Sequence, residues 1–144
     1  MFLGLYVIMM KEKRKFRLLT SKDICQIYKL LYREKFISFP LAQDSEDKVG
    51  SLAVSINSSY FGKKLYKSHK EKVVAYLYFL IKAHAFIDGN KRTACLSFSV
   101  ICNMNKLNPN YKNFSLDELA VFIEKEKRKD YQEFIHEITL VLFY

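Results

Sequence analysis

The chain has 144 residues, which is the size of one domain. Half of the residues are hydrophobic, and the chain has only four Gly and two Pro, so it can bury its own core and should be mainly helical. The net charge is +9, and the basic residues lie in scattered runs at 11–17, 63–72 and 125–129, without an aromatic stacking platform. This distribution argues against nucleic acid as the primary partner. A basic surface also suits an acidic protein partner.

The first ten residues are apolar, and the positive charges follow them. A secretory signal has the opposite order, so residues 1–17 are interpreted as an N-terminal arm, with Met9 or Met10 as an alternative start. Residues 18–144 are predicted to form one domain. No membrane span is expected, because the apolar segments fall short of the roughly 20 residues that a span requires. We therefore expect a cytoplasmic protein.

A cap at Thr20 or Ser21 predicts a first helix that runs to about residue 36. After a loop with Pro40, a second helix is predicted to start at Ser45 or Asp44 and to end near Asn57. The residues predicted to face the core are Ile24, Ile27, Leu30 and Leu31 in the first helix, and Val49, Leu52, Ala53 and Ile56 in the second.

Residues 58–68 contain two short aromatic runs on either side of a glycine, at Tyr60, Phe61, Gly62 and Tyr66. This pattern is typical of a short hairpin, although an ordinary surface loop is an equally good interpretation.

Two strongly apolar segments follow, Val73–Ile81 and Ala94–Met104. They are predicted to be two central buried helices. Beyond a loop with Pro109, Ser115 and Glu118 form a capping-box pattern that opens a helix to about residue 126. A last helix is predicted from about residue 130, with Phe134, Ile135, Ile138, Val141 and Leu142 facing inward. The sequence thus predicts a single all-α domain of about six helices.

The three cysteines are interpreted as reduced core residues. Cys95 and Cys102 lie seven residues apart on one predicted helix, roughly 10 Å along its axis, which is too far for a disulfide. Their spacing does not indicate a zinc site.

The polar loop between the central helices reads His-Ala-Phe-Ile-Asp-Gly-Asn-Lys-Arg-Thr over residues 84–93. Gly89 permits a positive φ angle, and the amides of Asn90, Lys91 and Arg92 would then open the next helix as an anion site. Cations at a helix N-terminus are unfavourable unless an anion binds there. A phosphate group is the predicted ligand.

Two further residues of the loop have side chains suited to chemistry. Asp88 is a candidate ligand for Mg²⁺, which is usually held by one or two carboxylates and substrate phosphates. His84 is a candidate general base, and Phe86 is expected to anchor the loop in the core. Singly, a histidine is more often structural, as we expect of His69 and His136, and an Asp-Gly pair is most often a turn. The combination has no evident packing rationale, and this favours function.

This loop resembles the Fic/Doc family. The Fic pattern is His-Pro-Phe-x-Asp/Glu-Gly-Asn-Gly-Arg with a second arginine three positions later, whereas members of the Doc (death-on-curing) branch have Lys in place of the second glycine. Here Ala85 replaces the proline, Lys91 replaces the glycine, and Cys95 replaces the second arginine. The chain is thus similar to the Doc branch, and a weaker likeness runs from about Leu18 to the end.

The resemblance implies a Doc-like toxin of a toxin–antitoxin pair that transfers a phosphoryl group from ATP, with Mg²⁺, to a hydroxyl side chain of a translation protein of the elongation factor Tu type. It also implies that the hairpin at Tyr60, Phe61 and Gly62 is a flap that docks the target by strand addition. No Ser/Thr-x-x-x-Glu inhibitory pattern occurs, which fits a separate antitoxin. The alternatives are a Fic-like protein adenylyltransferase and a catalytically idle binding module.

Overall fold

The computed structural model describes residues 16–57, 59–60, 63–64, 66 and 68–144. The described chain is all-helical apart from one very short hairpin. Its elements, in order, are α1 (Ser21–Arg33), α2 (Ser45–Asn57), β1 (Ser59–Tyr60), β2 (Lys63–Lys64), α3 (His69–Lys82), α4 (Asn90–Met104), α5 (Leu116–Lys125) and α6 (Tyr131–Phe143). The prediction of an all-α domain with six helices is confirmed.

Side-chain caps begin several helices where the sequence predicts them. Thr20 and Asp23 form a capping box at α1, and Ser115 and Glu118 form one at α5. In each pair the hydroxyl accepts a hydrogen bond from the third helical N–H, and the acidic side chain accepts one from the cap N–H. Asp130 caps α6 with its own side chain. These contacts are local, so the sequence alone predicts them.

The central pair, α3 and α4, forms the middle of the domain. Helix α3 packs against α2, α4, α5 and α6, while α1 packs against α2 and α4. This position explains why α3 is apolar on nearly every face. The buried residues of α3 are Val73, Val74, Ala75, Tyr76, Leu77, Tyr78, Leu80 and Ile81.

The end of α1 differs from the prediction. Helix α1 ends at Arg33 and not near Phe36. Lys35 takes a positive φ of 66°, and the N–H groups of Lys35 and Phe36 turn back to the carbonyls of Tyr32 and Leu31. This closure is a Schellman motif. Lys106 (φ 54°) closes α4 in the same way.

Two residues that were expected to face the core do not. Leu30 is 41% exposed and Val141 is 55% exposed. The predicted apolar stripes are wider than the surfaces that neighbouring helices cover, because α6 packs mainly on α3, and α1 packs mainly on α2 and α4.

The predicted hairpin is present as β1 and β2, which pair antiparallel with Ser59 opposite Lys64 and Tyr60 opposite Lys63. Phe61 and Gly62, which the prediction included in this hairpin, and the first 15 residues of the N-terminal arm lie outside the described residues. All three cysteines are unpaired and buried, as expected. None of the helices that the structure describes has the length and apolar character needed to cross a membrane.

Candidate active site

The loop between α3 and α4 begins after the helix cap Ala83 and ends at Gly89, the N-cap of α4. Gly89 has φ 73° and ψ 20°, which is the left-handed region. Within the described residues, no side chain forms a capping hydrogen bond at the start of α4. Thr93 N–H bonds to the Gly89 carbonyl at 2.9 Å. The N–H groups of Asn90, Lys91 and Arg92 therefore stand in the first turn without an intrahelical acceptor.

Packing also requires glycine at position 89. A Cβ atom there would lie 2.6 Å from Cγ1 and 3.3 Å from Cγ2 of Ile37, and closer still to Cδ1. Ile37 is 2% exposed and belongs to the core. Position 89 thus excludes side chains for two reasons, its backbone angle and its contact with Ile37.

The first half of the loop is fixed to α1 and α2. The Phe86 ring is buried and stacks on the Tyr28 ring, with centroids 4.6 Å apart and planes 17° apart. The Ser45 hydroxyl, at the start of α2, donates a buried hydrogen bond of 2.8 Å to the Ala85 carbonyl. The Tyr28 hydroxyl in turn donates to the Phe39 carbonyl at 2.7 Å.

Asn90 closes the loop on itself. Its Oδ1 accepts a hydrogen bond from the Phe86 N–H at 3.1 Å, and its Nδ2 donates to the Phe86 carbonyl at 2.9 Å. The side chain thereby satisfies both backbone groups of a buried loop residue. This pair uses one of the two N–H groups of the side-chain amide, and the main-chain N–H of Asn90 lies in the first turn of α4.

The two cations at the start of α4 point to different neighbours. Lys91 Nζ lies 2.7 Å from Oε2 of Glu124, near the end of α5. Arg92 Nη1 donates to the Phe36 carbonyl, in the segment that follows α1. The hydrogen bond from Lys91 is the main reason that the pKa of Glu124 lies below its ordinary value, and the charge of His84 contributes less. His84 and Lys91 therefore both act on one carboxylate.

His84 and Asp88 are exposed, and no hydrogen bond or ion pair joins either side chain to another residue in the described ranges. His84 has a positive φ of 49°, a conformation that costs energy for any residue with a Cβ. Burial raises the pKa of Tyr28, and the charge of Asp88 raises it further. Asp88 therefore acts electrostatically on the tyrosine whose ring supports the loop.

Lys91 and, through its electrostatic effect, His84 therefore both act on Glu124, whereas Asp88 acts on Tyr28 and Arg92 is turned toward α1. The expectation that the motif lacks a packing rationale is wrong for most of it. Structural contacts account for Phe86, Gly89, Asn90, Lys91 and Arg92. They do not account for His84 or Asp88.

Sequence reasoning missed Glu124. It lies 33 positions after Lys91, in a helix predicted only from its cap and periodicity, and no local pattern signals the contact. It also missed Ile37 and Ser45, which hold the loop from the other side. The two remaining histidines have structural contacts, since His69 stacks on Phe16 and His136 Nδ1 lies 2.7 Å from Glu71 Oε1.

No group of three or more His, Cys, Asp or Glu side chains in the described residues could hold a metal ion alone. Asp88 is a single exposed carboxylate, which fits Mg²⁺ that takes its other ligands from water and substrate phosphates. Cys95 stands where a second arginine occurs in the Fic pattern. Burial raises the pKa of its thiol to about 12, so this position is neutral and buried.

The model of the family described as "Fic/DOC family" matches residues 18–102. The match covers more than half of the chain and includes the whole loop between α3 and α4. Searches of the curated proteins and of the solved structures find no match.

Proposed function

This chain belongs to the Fic/DOC family, and from that premise we propose that it transfers the γ-phosphoryl group of ATP to a hydroxyl side chain of a protein. Membership of the family suggests a transferase of the Fic type. The finer assignment, phosphoryl transfer in place of nucleotidyl transfer, rests on positions 91 and 95.

The observation that carries the proposal is the position of the Lys91 ammonium. It already holds an anionic oxygen at 2.7 Å, on the side of the loop where His84 acts on the same carboxylate. A glycine at this position would leave room for a phosphate to approach the backbone, whereas a lysine fills that room and adds a point charge. A terminal phosphate beside Lys91 would place its phosphorus near His84.

The neutral thiol of Cys95 supports the same orientation. The Fic pattern has a second arginine, and therefore a second cation, at this position. The Cys95 side chain is 9% exposed, and its pKa is raised to about 12 by burial. It therefore offers no cation to a phosphate group at neutral pH.

In the proposed reaction the hydroxyl oxygen of the target attacks the γ-phosphorus, and the bond from that phosphorus to the β–γ bridging oxygen breaks. The hydroxyl proton passes to His84, and ADP leaves. The first amides of α4 and the Lys91 ammonium hold phosphate oxygens and stabilise their charge. Mg²⁺, which neutralises phosphate charge when bound, would be held by Asp88.

Intact-mass spectrometry tests this proposal. A target protein incubated with ATP and the unmodified chain should gain about 80 Da for a phosphoryl group, and not about 329 Da for an adenylyl group. The matched control is His84→Asn, since Asn also tolerates a positive φ. Loss of the general base should slow transfer by about 10²–10⁴-fold. An adenylylated product would contradict the orientation argued from Lys91, and no transfer to any target would favour an idle binding module.

The role of Asp88 has its own test. Asp88→Asn should reduce the difference in ATP affinity between buffers with and without Mg²⁺, because the substitution removes the carboxylate ligand but leaves Lys91 and the helix amides in place. Calorimetric titrations of both proteins in both buffers measure that difference. Equal magnesium dependence would make Asp88 a turn residue only.

We further propose that the protein is a toxin restrained by a separate antitoxin, and that its target is a translation protein of the elongation factor Tu type. The family resemblance of the loop supports this, and the net charge of +9 suits an acidic partner. The hairpin β1–β2 is proposed to dock the target segment through main-chain hydrogen bonds. Growth arrest on expression, absent with His84→Asn, would support the toxin role.

A further inference from the structure

One acidic residue outside the loop occupies the place where the substrate phosphate is proposed to bind. Glu124 lies in the last turn of α5, and its Oε2 accepts a hydrogen bond of 2.7 Å from Lys91 Nζ. The two side chains are 38% and 40% exposed, so an incoming anion can reach both of them. Electrostatic interaction with His84 also lowers the pKa of Glu124.

The position of Glu124 is fixed by contacts with α3. Lys82, the last residue of α3, donates from Nζ to the Glu124 carbonyl at 3.1 Å and to the Glu126 carbonyl. These bonds satisfy carbonyls at the end of α5, which have no partner within the helix. His84 follows Lys82 by two residues. The end of α5 is therefore tied to the beginning of the loop.

The charges explain why a carboxylate is favourable there. Lys91 is the second residue of α4, and a cation at a helix N-terminus opposes the helix dipole. Glu124 neutralises that cation through its contact with Lys91 Nζ. In the free protein it thus supplies the charge that a phosphate would supply.

We propose that Glu124 is an internal counter-anion that competes with the nucleotide phosphate for Lys91 and thereby sets the affinity of the site. This inference rests on the proposed function. Binding of a triphosphate exchanges the Glu124 carboxylate for a phosphate oxygen on the Lys91 ammonium. The carboxylate, now beside a polyanion, turns toward solvent, which its exposure permits.

The experiment compares Glu124→Gln with the unmodified chain by calorimetry, with two probes, Mg-ATP and inorganic tripolyphosphate. The matched control is Glu126→Gln, which removes the same charge two positions away, where the carboxylate meets Arg128 and not Lys91. We expect Glu124→Gln to bind both probes roughly threefold to tenfold more tightly, the size of one or two interactions between exposed charges. The gain should shrink in high salt, and the control should show little change.

A second variant shows whether Lys91 carries the effect. In a Lys91→Met background the gain from Glu124→Gln should fall, because the exchange of partners no longer occurs. Circular dichroism confirms that each variant is folded. The comparison in the Lys91→Met background shows whether the tighter binding comes from release of Lys91 or only from the loss of a negative charge.

The outcomes distinguish this inference from the proposed function. If ATP binds equally well or more weakly after Glu124→Gln, the inference is wrong while the proposed function stands. If tripolyphosphate shows the gain but ATP does not bind, Glu124 has the inferred role and the nucleotide assignment fails. If neither probe binds to any variant, both are overturned.

Discussion

Gly89→Ala tests the backbone geometry on which the candidate site depends. The left-handed conformation at φ 73° costs roughly 1–2 kcal/mol for a residue with a Cβ. The new methyl group would also lie 2.6 Å from Cγ1 of the buried Ile37, and overpacking of this kind typically costs about 1–3 kcal/mol. The free energy of unfolding should therefore fall by roughly 2–5 kcal/mol.

The chain offers a matched control at Gly50, inside α2. A Cβ there would lie 3.9 Å from Cβ and Oγ of Ser21, which is ordinary contact. Gly50→Ala should therefore raise stability by about 0.5–1 kcal/mol, because alanine is the better helix former. The same chemical change thus has opposite signs at two positions of one protein.

Urea denaturation followed by circular dichroism measures these free energies. The double variant Gly89→Ala with Ile37→Ala separates the two causes, since truncation of Ile37 removes the clash but not the backbone strain. The double variant should therefore be more stable than the sum of the two single losses predicts. A Gly89→Ala protein that unfolds at the same urea concentration as the unmodified chain would refute the geometry of the loop.

Asn90, His84 and Cys102 provide three further tests of the structure. Asn90→Ala should lower the free energy of unfolding by about 1–3 kcal/mol in urea titrations, because the backbone groups of the buried Phe86 lose both partners; Asn90→Asp should recover little of this, since it restores only the acceptor. His84→Gly should relieve the positive φ and raise stability by about 0.5–1 kcal/mol, while transfer should slow by about 10²–10⁴-fold. Burial raises the pKa of the Cys102 thiol from 9.0 to about 12, so between these pH values the folded state keeps a proton that the unfolded state releases. The contribution of this thiol to the free energy of unfolding is therefore full below pH 9 and falls by roughly 1.4 kcal/mol per pH unit above it. Urea titrations at alkaline pH should show that the free energy of unfolding of Cys102→Ala falls less steeply with pH.

Local features of the fold could be predicted from the sequence. The capping boxes at Thr20 and Ser115 and the apolar character of α3 depend on residues a few positions apart, and the sequence displays them directly. The exposures of Leu30 and Val141 could not be predicted in this way. Periodicity shows which residues share a face, but the neighbours that cover the face come from distant parts of the chain.

The same limit applies to the candidate site. The loop residues are contiguous, so their types and spacing could be interpreted together. Their supports are not contiguous, because Ile37 contacts Gly89, Ser45 bonds to Ala85, and Glu124 bonds to Lys91 across 33 positions. Such pairs follow from the packing of helices and have no signature in a single sequence.

The contacts divide the loop into two groups of residues. Phe86, Gly89 and Asn90 have buried partners that fix the backbone, and their substitution should change stability first and transfer as a consequence. His84 and Asp88 have exposed side chains without hydrogen bonds or ion pairs to the described residues, and His84 also carries an unfavourable backbone angle. A destabilising residue is commonly retained where its side chain takes part in the reaction, since backbone strain is concentrated at functional sites. Opposite effects of a substitution on stability and on transfer therefore identify the chemical group, and His84 is the residue of this loop at which we expect them.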